Sequence, residues 1–432
     1  MLLLKQVEVK NVSKTKISVN KKSEMAAKIN KILFDNMVTI LFIVLCIIEI
    51  ILSGQSAYFI LNELVARIAR NSFLVLSLII PVIAGMGLNF GIVIGAMAAQ
   101  AAIIAVAHWQ IKGILGFLLC ILLSTPLAIL LGYITGKLLN KTKGQEMIAS
   151  MIFGFFANGI YQLIFLLLIG TIIPMKDPVI VLSSGVGIKN TIDLSGSIKY
   201  SLDNLIKLPL SITLAIICFG FMVYYLWKYI KKREKKNLFV SLLFIIAGGC
   251  FAVIYNYEFM LNKINVPIAT MLLILALCFF NNFICSTKLG QNFKAVGQNM
   301  HIAGVSGINV DKVRVNAIII STVLAAWGQL IFLQNIGTLN TYGSHEQVGM
   351  FAIASLLIGG ATVTNADNKQ AIIGTILFHT MFIVSPMAGK NLFGNAQIGE
   401  YFRVFVVYGV IGVSLGLHAW KNQYEKNKLM KQ

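Results

Sequence analysis

The stretch TKLGQNFKAVGQNMHIAGVSGINV, residues 287–310, lies between two long apolar segments of the chain. It contains four glycines, five side-chain amides and only two lysines, with apolar residues spaced between them. A plain cytoplasmic turn between two membrane helices is expected to be short and rich in lysine, as KKREKK at residues 231–236 is. The pattern here instead predicts two short amphipathic helices, the first ending at Gly297 and the second at Gly304 or Gly307.

The two short helices are expected to share an apolar side, formed by Leu289, Phe293, Val296, Ile302 and Val305. An amphipathic helix of this kind fits a groove on a partner protein, so we expect the segment to be a docking site. The alternative is an amphipathic turn that lies on the membrane surface. Asp311 is expected to cap the helix that re-enters the membrane.

The composition indicates a helical membrane protein. Of the 432 residues, 57% are hydrophobic and only 12% are charged, whereas soluble domains carry roughly 25% charged residues. The apolar residues form blocks long enough to cross the bilayer as helices of about 20 residues. We therefore predict an all-α polytopic integral membrane protein with about twelve spans. The predicted spans are 37–54, 71–88, 90–108, 113–138, 147–174, 208–230, 238–257, 265–285, 314–335, 347–365, 370–386 and 403–420.

The net charge of +20 is carried by lysine clusters that flank the apolar segments. This distribution follows the positive-inside rule, so it indicates membrane lipids and not nucleic acid as the partner of the basic residues. The predicted organisation is a cytoplasmic basic N-terminal tail (1–36), a transmembrane domain (37–420) and a cytoplasmic C-terminal tail (421–432). Within the transmembrane domain, residues 286–313 are expected in the cytoplasm, and residues 55–70, 175–207 and 387–402 outside.

Ionisable residues are scarce inside the predicted spans, where Glu49 is the only carboxylate well within a span. Buried charge in a membrane usually marks an ion or proton path, so the driving force for any transport is expected to come from another protein. Most neutral polar residues in the spans are expected to join helices. Some are candidates for the path of an uncharged polar solute, namely Asn89, Gln100, Asn158, Gln162 and Gln329.

The sequence shows no catalytic or metal-binding motif in a fitting context. It has no GxxxxGK[ST] to hold nucleotide phosphates, and neither HExxH nor CxxC is found. One GxSxG string occurs, GVSLG at residues 412–416, but it lies within the last apolar span and not at a strand-to-helix turn, so we interpret it as chance. We therefore predict no catalytic residues, no metal ligands and no cofactor of its own.

The opening stretch, read as T-K-L-G-Q-N-F-K-A-V-G-Q-N followed by A-G-V-S-G-I-N-V, closely resembles a segment of ABC importer permeases of the branched-chain amino acid, ribose and nucleoside type. Three further stretches are similar to the same family, namely GLNFGIVIGA (87–96), QEMIASMIFGFFANGI (145–160) and GGATVTNADNKQAIIGTIL (359–377). The resemblance extends from about residue 70 to the end of the chain. Gln291 and Ile302 depart from the family pattern, in which an arginine and an alanine are usual.

The resemblance implies the membrane domain of a type II importer, which has about ten spans. An additional hairpin is therefore expected, within residues 231–285. The implied partners are ATP-binding cassette ATPase subunits, a second permease chain that is a copy or a relative, and an extracellular solute-binding lipoprotein. By the resemblance, the residues that couple to the ATPase are Leu289, Gly290, Phe293, Lys294, Ala295, Gly297, Asn299, Ala303, Ser306 and Gly307.

The predicted function is that of a permease subunit in the bacterial cytoplasmic membrane, with both termini in the cytoplasm, that imports a small polar solute of nucleoside or sugar type. The main alternative is a twelve-helix secondary carrier coupled to an ion gradient. The uncharged turn GLNFG at residues 87–91 argues against that carrier, because a basic loop is expected there. A membrane scaffold without transport activity is a third possibility, although it does not explain the segment 287–310.

Overall fold

A computed structural model describes residues 34, 36–257 and 259–429. The predicted cytoplasmic tail of residues 1–36 therefore lies almost entirely outside the described residues. Within the described part the chain folds into α-helices joined by short turns, with four three-residue strands at one end of the bundle. The α-helices are α1 (Met37–Ser53), α2 (Ala57–Ser77), α3 (Ile79–Ile83), α4 (Ile92–His108), α5 (Gly113–Lys141), α6 (Glu146–Leu163), α7 (Leu210–Lys232), α8 (Lys235–Tyr255), α9 (Ile268–Ser286), α10 (Lys288–Gln298), α11 (Met300–Val305), α12 (Val310–Ile336), α13 (Glu346–Ile358), α14 (Asn368–Phe393) and α15 (Ala396–Leu429).

The expectation of a polytopic helical protein is confirmed. Nine helical segments of the described chain are long and apolar enough to cross a membrane. Three shorter apolar helices, α1, α4 and α13, complete the set. Each of the twelve predicted spans coincides with one of these helices.

Two predicted outer loops are wrong, because the helices extend through them. Residues 55–70 were expected outside, but α2 begins at Ala57, where the Ser56 hydroxyl accepts a hydrogen bond from Phe59 N at 3.4 Å. Residues 387–402 also belong mostly to α14 and α15, which leaves a short turn at Gly394. The charged residues in both stretches made them look like loops, whereas in the structure Glu63, Arg67 and Arg70 are partly buried on α2, and Lys390 and Glu400 are exposed on α14 and α15.

Helix α12 forms the centre of the bundle. It packs against α5, α4 and α2, and most of its residues are buried. Since α12 follows directly after the segment 287–310, this segment is connected to the core of the protein.

The predicted outer end is closed by an ordered cap formed mainly by residues 169–209. Strand β1 (Thr191–Asp193) pairs antiparallel with β4 (Thr338–Asn340), and β2 (Lys207–Pro209) pairs antiparallel with β3 (Asn265–Pro267). Asp203 is a buried residue of the cap and accepts hydrogen bonds from Thr270 Oγ1 at 2.6 Å and Gln334 Nε2 at 3.0 Å. The cap is thereby fixed to the ends of α9 and α12.

Helices α7 and α8 form a hairpin at the side of the bundle. They pack mainly against each other. In the most apolar stretch of each helix, only 11% of the residues of α7 and 6% of those of α8 are buried. The peripheral hairpin extends from Leu210 to Tyr255, so it overlaps only in part the region 231–285 in which an additional hairpin was predicted. The polar turn KKREKK is the tip of the hairpin and not its beginning.

Candidate coupling segment and transport cleft

Three side-chain caps fold the segment 287–310 into separate helices. Thr287 Oγ1 accepts from Gly290 N at 3.3 Å and starts α10, and Asn299 Oδ1 accepts from Ile302 N at 3.0 Å and starts α11. Asn309 Oδ1 accepts from Lys312 N at 3.0 Å and starts α12. The expected two short helices are present. The expectation that Asp311 caps α12 is wrong, because Asn309 performs this role.

Helix α10 packs onto the protein's own core. The side chains of Phe293 and Val296 are each 1% exposed. A Cβ atom added at Gly297 would lie 2.1 Å from Ile83 O, so the backbone of α10 rests directly on the end of α3. The expectation that Phe293 and Val296 face a partner is therefore wrong, since they anchor the segment.

Helix α11 presents the exposed apolar surface of the segment. Ile302 is 63% exposed and Val305 is 79% exposed, and Asn309 at the start of the next helix is exposed as well. Two large apolar side chains exposed beside polar residues at the end of the bundle are typical of a protein contact. A cavity of about 660 Å³ lies beside α10, lined by Lys294 and Gly297 of that helix and by the turn at residues 364–368.

A buried arginine joins the segment to two other helices. Arg314 of α12 is fully buried, and its Nη2 donates to Glu146 Oε1 at 2.6 Å. Its Nε donates to Asn140 Oδ1 at 2.8 Å, and its Nη1 lies 2.9 Å from the sulfur of Met300. The side chain thus links the start of α11 to the corner between α5 and α6.

A cleft of about 450 Å³ runs along the exposed side of α6. It is bounded by Phe90 in the turn before α4, by α13 and α14, and by the first turns of α15. Apolar side chains form most of its wall, and Asn158, Glu346 and Arg403 are among the polar groups that line it. A concave, mainly apolar surface with a few polar groups is typical of a solute path.

A polar chain connects this cleft to the interior. Asn158 Nδ2 donates to Glu346 Oε1 at 2.7 Å, and Asn158 Oδ1 lies 2.8 Å from His345 Nε2. Because an amide oxygen only accepts, His345 Nε2 carries the proton and Nδ1 accepts. The amide of Gln100 lies 2.9 Å from Nδ1, and with its NH₂ turned towards the ring it donates to that nitrogen. Burial lowers the pKa of His345 to about 4, so the ring is neutral at pH 7.

Comparison with known proteins identifies the family. The family described as branched-chain amino acid transport system / permease component matches residues 194–414, just over half of the chain. The chain belongs to this permease family. No solved structure matches it.

Curated relatives match a shorter region of the permease. The autoinducer 2 import system permease protein LsrC of Yersinia pseudotuberculosis serotype O:3 (strain YPIII) is 30% identical over 151 residues, which are 33% of this chain and 40% of that protein. LsrC of Photorhabdus luminescens is 27% identical over 155 residues, 36% of this chain and 38% of that protein. The probable ABC transporter permease protein YphD of Escherichia coli (strain K12) is 28% identical over 148 residues, 34% of this chain and 42% of that protein. The chain thus spans about two-fifths of the length of these relatives.

The permease structure separates the residues predicted to contact an ATPase into two groups. Lys294, Asn299, Ser306 and Gly307 are exposed, whereas Gly290, Phe293 and Ala303 are buried and Leu289, Ala295 and Gly297 are partly buried. The exposed group lies at the surface around α11. The buried group sets the position of this surface relative to the bundle.

The predicted path residues are only partly brought together. Asn158 lines the cleft, Gln162 donates to Asn158 Oδ1 at 3.4 Å, and Gln100 reaches it through His345. Asn89 and Gln329 are 2% and 0% exposed and lie elsewhere in the interior. Asn89 Oδ1 accepts from Gly91 N at 2.9 Å, and Gln329 Nε2 donates to Ser344 O at 3.2 Å. The expectation that these two line a path is not met in this conformation.

Several residues of the permease site were missed by the sequence analysis. Arg314 stands at the edge of an apolar segment, where a cation is expected for topology alone, so no sequence pattern marked it as a site residue. Scattered histidines are usually structural, and His345 was passed over for that reason. Glu346 and Arg403 sit beside predicted outer loops, and only the packing of α13 and α15 against α6 and α14 brings them to the cleft.

Proposed function

We propose that this chain is the membrane-spanning permease subunit of a bacterial ABC importer, powered by a separate ATP-binding cassette ATPase. The observation that carries the proposal is the arrangement of the segment 287–310. Its helix α10 is fixed to the core through Phe293 and Val296, while α11 exposes Ile302 and Val305. A rigidly mounted surface of this kind is what an ATPase requires to transmit its closure to the membrane domain.

A chain of contacts connects the proposed docking surface to the cleft. The backbone of α10 at Gly297 touches Ile83 and Gly85 in the turn after α3. The same turn continues to Phe90, whose backbone N donates to Ser150 Oγ of α6 at 3.2 Å. Movement of α10 is thereby passed to the wall of the cleft, which supports alternating access driven from the cytoplasmic side.

The proposed cargo is a small polar solute, nucleoside- or sugar-like. The cleft is open to one side, and a second permease chain, a copy or a relative, is proposed to complete the path. Asn158 and Glu346 offer hydrogen-bonding groups to a polar solute. The curated relatives include autoinducer 2 import system permeases, which supports the direction of import.

The proposed assembly contains two permease chains, the ATPase subunits and an extracellular solute-binding lipoprotein. It lies in the cytoplasmic membrane, with both termini of this chain and the segment 287–310 in the cytoplasm. The lysine clusters beside the apolar helices support this orientation.

Affinity purification of the tagged chain from native membranes, with identification of the proteins that accompany it, tests the proposal. An ATP-binding subunit is expected with the wild-type chain and not with Val305→Asp, because a charge in the apolar contact opposes docking. Leu205→Asp, a change of the same kind at the predicted outer end, is the matched control and is expected to retain the ATPase. If no ATPase is recovered and uptake is abolished by a proton or sodium ionophore at constant ATP, the alternative of an ion-coupled carrier is correct.

A further inference from the structure

Helices α2, α14 and α15 bring three arginines together around one aromatic ring. The guanidinium carbon of Arg67 lies 4.8 Å from the centroid of Phe382, and that of Arg403 lies 4.7 Å from the same centroid. Arg70 follows Arg67 on α2 and is within electrostatic range of it. We call Arg67, Arg70 and Arg403 the arginine cluster.

The arginine cluster is recessed from the helix ends. Arg67 lies ten residues after the start of α2, which corresponds to about 15 Å of helix. Phe382 lies eleven residues before the end of α14, a similar depth. Cationic side chains at such depth in a membrane protein are costly and usually serve a function.

The carboxylates near the arginine cluster pair directly with only two of its three guanidinium groups. Glu63 Oε2 lies 3.7 Å from Arg67 Nε, and Glu400 forms an ion pair with Arg403 at 2.5 Å. No described carboxylate lies within 4.0 Å of Arg70. Glu63 and Asp203 both interact electrostatically with Arg70. Glu63 is the ion-pair partner of Arg67, however, and the oxygens of Asp203 already accept from three neutral donors.

Donor groups without acceptors lie in the same place. Arg67 Nε is buried and makes no hydrogen bond to the described residues, because its ion-pair partner Glu63 Oε2 lies 3.7 Å away. His379, one turn before Phe382 on α14, is 2% exposed, and neither of its ring nitrogens has a partner there. Buried donors of this kind are rare unless a bound group satisfies them.

The arginine cluster is continuous with the transport cleft. Arg403 of the cluster lines the cleft together with Glu346 and Asn158. Phe382, the ring over which the arginines lie, lines the cleft as well. A group bound between the arginines would therefore sit beside the cleft, below the predicted outer helix ends. Guanidinium groups match the geometry of carboxylate and phosphate oxygens, because they donate two parallel hydrogen bonds.

We propose that Arg67, Arg70 and Arg403 form an oxyanion site beside the transport cleft, and that this site binds a carboxylate or phosphate group. Two sources supply this chemistry, an anionic group on the imported solute or the headgroup of an anionic phospholipid. The first source rests on the proposed function and narrows the solute to one that carries an oxyanion. The binding site itself requires only the cluster and its unpaired donors.

The test uses the full-length chain in nanodiscs of phosphatidylcholine alone. Inorganic phosphate, acetate and chloride are compared at constant ionic strength and pH, and the thermal unfolding midpoint is measured. The midpoint is expected to rise by about 2 °C or more in phosphate or acetate relative to chloride, since a ligand of the folded state stabilises it. Arg403→Gln is expected to abolish the difference, whereas Arg233→Gln, at the exposed tip of the α7–α8 hairpin, is expected to retain it.

A second arm identifies a lipid source. Native mass spectrometry of the chain extracted from membranes containing phosphatidylglycerol is expected to show a retained anionic lipid that is lost in Arg403→Gln and in Arg67→Gln, if a headgroup is the occupant. Arg67→Gln also provides an independent variant in both arms if Arg403→Gln does not fold. Equal midpoints in the three salts together with equal lipid retention in all variants would overturn the site. Recovery of the ATPase subunit is unaffected by either result, so failure here is distinct from failure of the importer assignment.

Discussion

Arg314 Nη2 and Glu146 Oε1 lie 2.6 Å apart and form a buried ion pair between α12 and the first turn of α6. The arginine side chain is 0% exposed and the glutamate side chain 10%. Because Arg314 also contacts Met300 and Asn140, this pair holds the proposed docking helix α11 against the corner between α5 and α6. The pair therefore belongs both to the stability of the fold and to the proposed transmission of movement.

Removing one partner of this pair is expected to be costly. Arg314→Ala leaves Glu146 without its cation and is predicted to lower the free energy of unfolding by about 3–5 kcal/mol, as for other buried pairs. The double variant Arg314→Met, Glu146→Leu is expected to recover much of this loss, because it leaves no unpaired charge. Thermal or denaturant unfolding in detergent checks both. Lys143→Ala, which breaks the exposed pair with Asp311 at 2.7 Å, is the control and is expected to cost at most about 1 kcal/mol.

The contact between α10 and α3 is predicted to be required for coupling. Gly297→Ala places a methyl group 2.1 Å from Ile83 O and pushes α10 away from the turn that leads to α4. Transport and solute-stimulated ATPase activity are expected to fall at least about tenfold, while ATPase co-purification persists, because α11 remains exposed. Gly220→Ala, on helix α7 of the peripheral hairpin, is the matched control, since no atom lies within 4 Å of its added Cβ. Equal activity of the two variants would show that this contact does not transmit movement.

The sequence was sufficient to predict much of the fold. Apolar blocks of about 20 residues mark membrane helices whatever their packing, so every predicted span corresponds to a helix. The two short helices were equally accessible, because Thr287 and Asn299 are strong N-cap residues and glycine follows each helix or ends it. These features depend on residues that are close together in the chain, so the sequence alone is enough to predict them.

Features that depend on packing were not predictable. The apolar side of α10 fits a partner groove or the protein's own core equally well, and only the structure shows Phe293 buried inside. Glu63, Arg67 and Arg70 resembled a polar loop, because a hydropathy scale scores each charged residue without regard to the residues it contacts in the folded protein. In the structure Arg67 packs over Phe382, more than 300 residues away in the chain, which no local pattern reveals.

The buried carboxylate of Asp203 is predicted to hold the outer cap in place. Asp203→Ala removes the acceptor of Thr270, Gln334 and Asn335 and leaves their donors unpaired, at a cost of about 1–3 kcal/mol. Tryptic cleavage at Lys199 or Lys207 is expected to be at least about fivefold faster, because cleavage of a loop follows its local opening. Asp193→Ala, in the same cap but at an exposed position, is the control and is expected to leave the cleavage rate nearly unchanged. Unchanged protection in Asp203→Ala would show that the β-strand pairs alone fix the cap.

The polar chain at His345 is predicted to make the protein acid-sensitive. Burial lowers the pKa of His345 from 6.5 to about 4, so the unfolded chain takes up a proton at a higher pH than the folded one. The contribution of His345 to stability is therefore complete above pH 6.5, falls by about 1.4 kcal/mol for each pH unit below it, and levels off near pH 4.

His345→Gln is expected to flatten the dependence of the unfolding midpoint on pH between these values, although it lowers the midpoint at pH 7 because the hydrogen bonds to Asn158 and Gln100 change. His301→Gln, at an exposed position on α11, provides the comparison and is expected to retain the wild-type slope. Parallel pH profiles for wild type and His345→Gln would mean that the ring is already protonated or accessible in the folded protein. The assignment of a neutral imidazole between Gln100 and Asn158 would then be wrong.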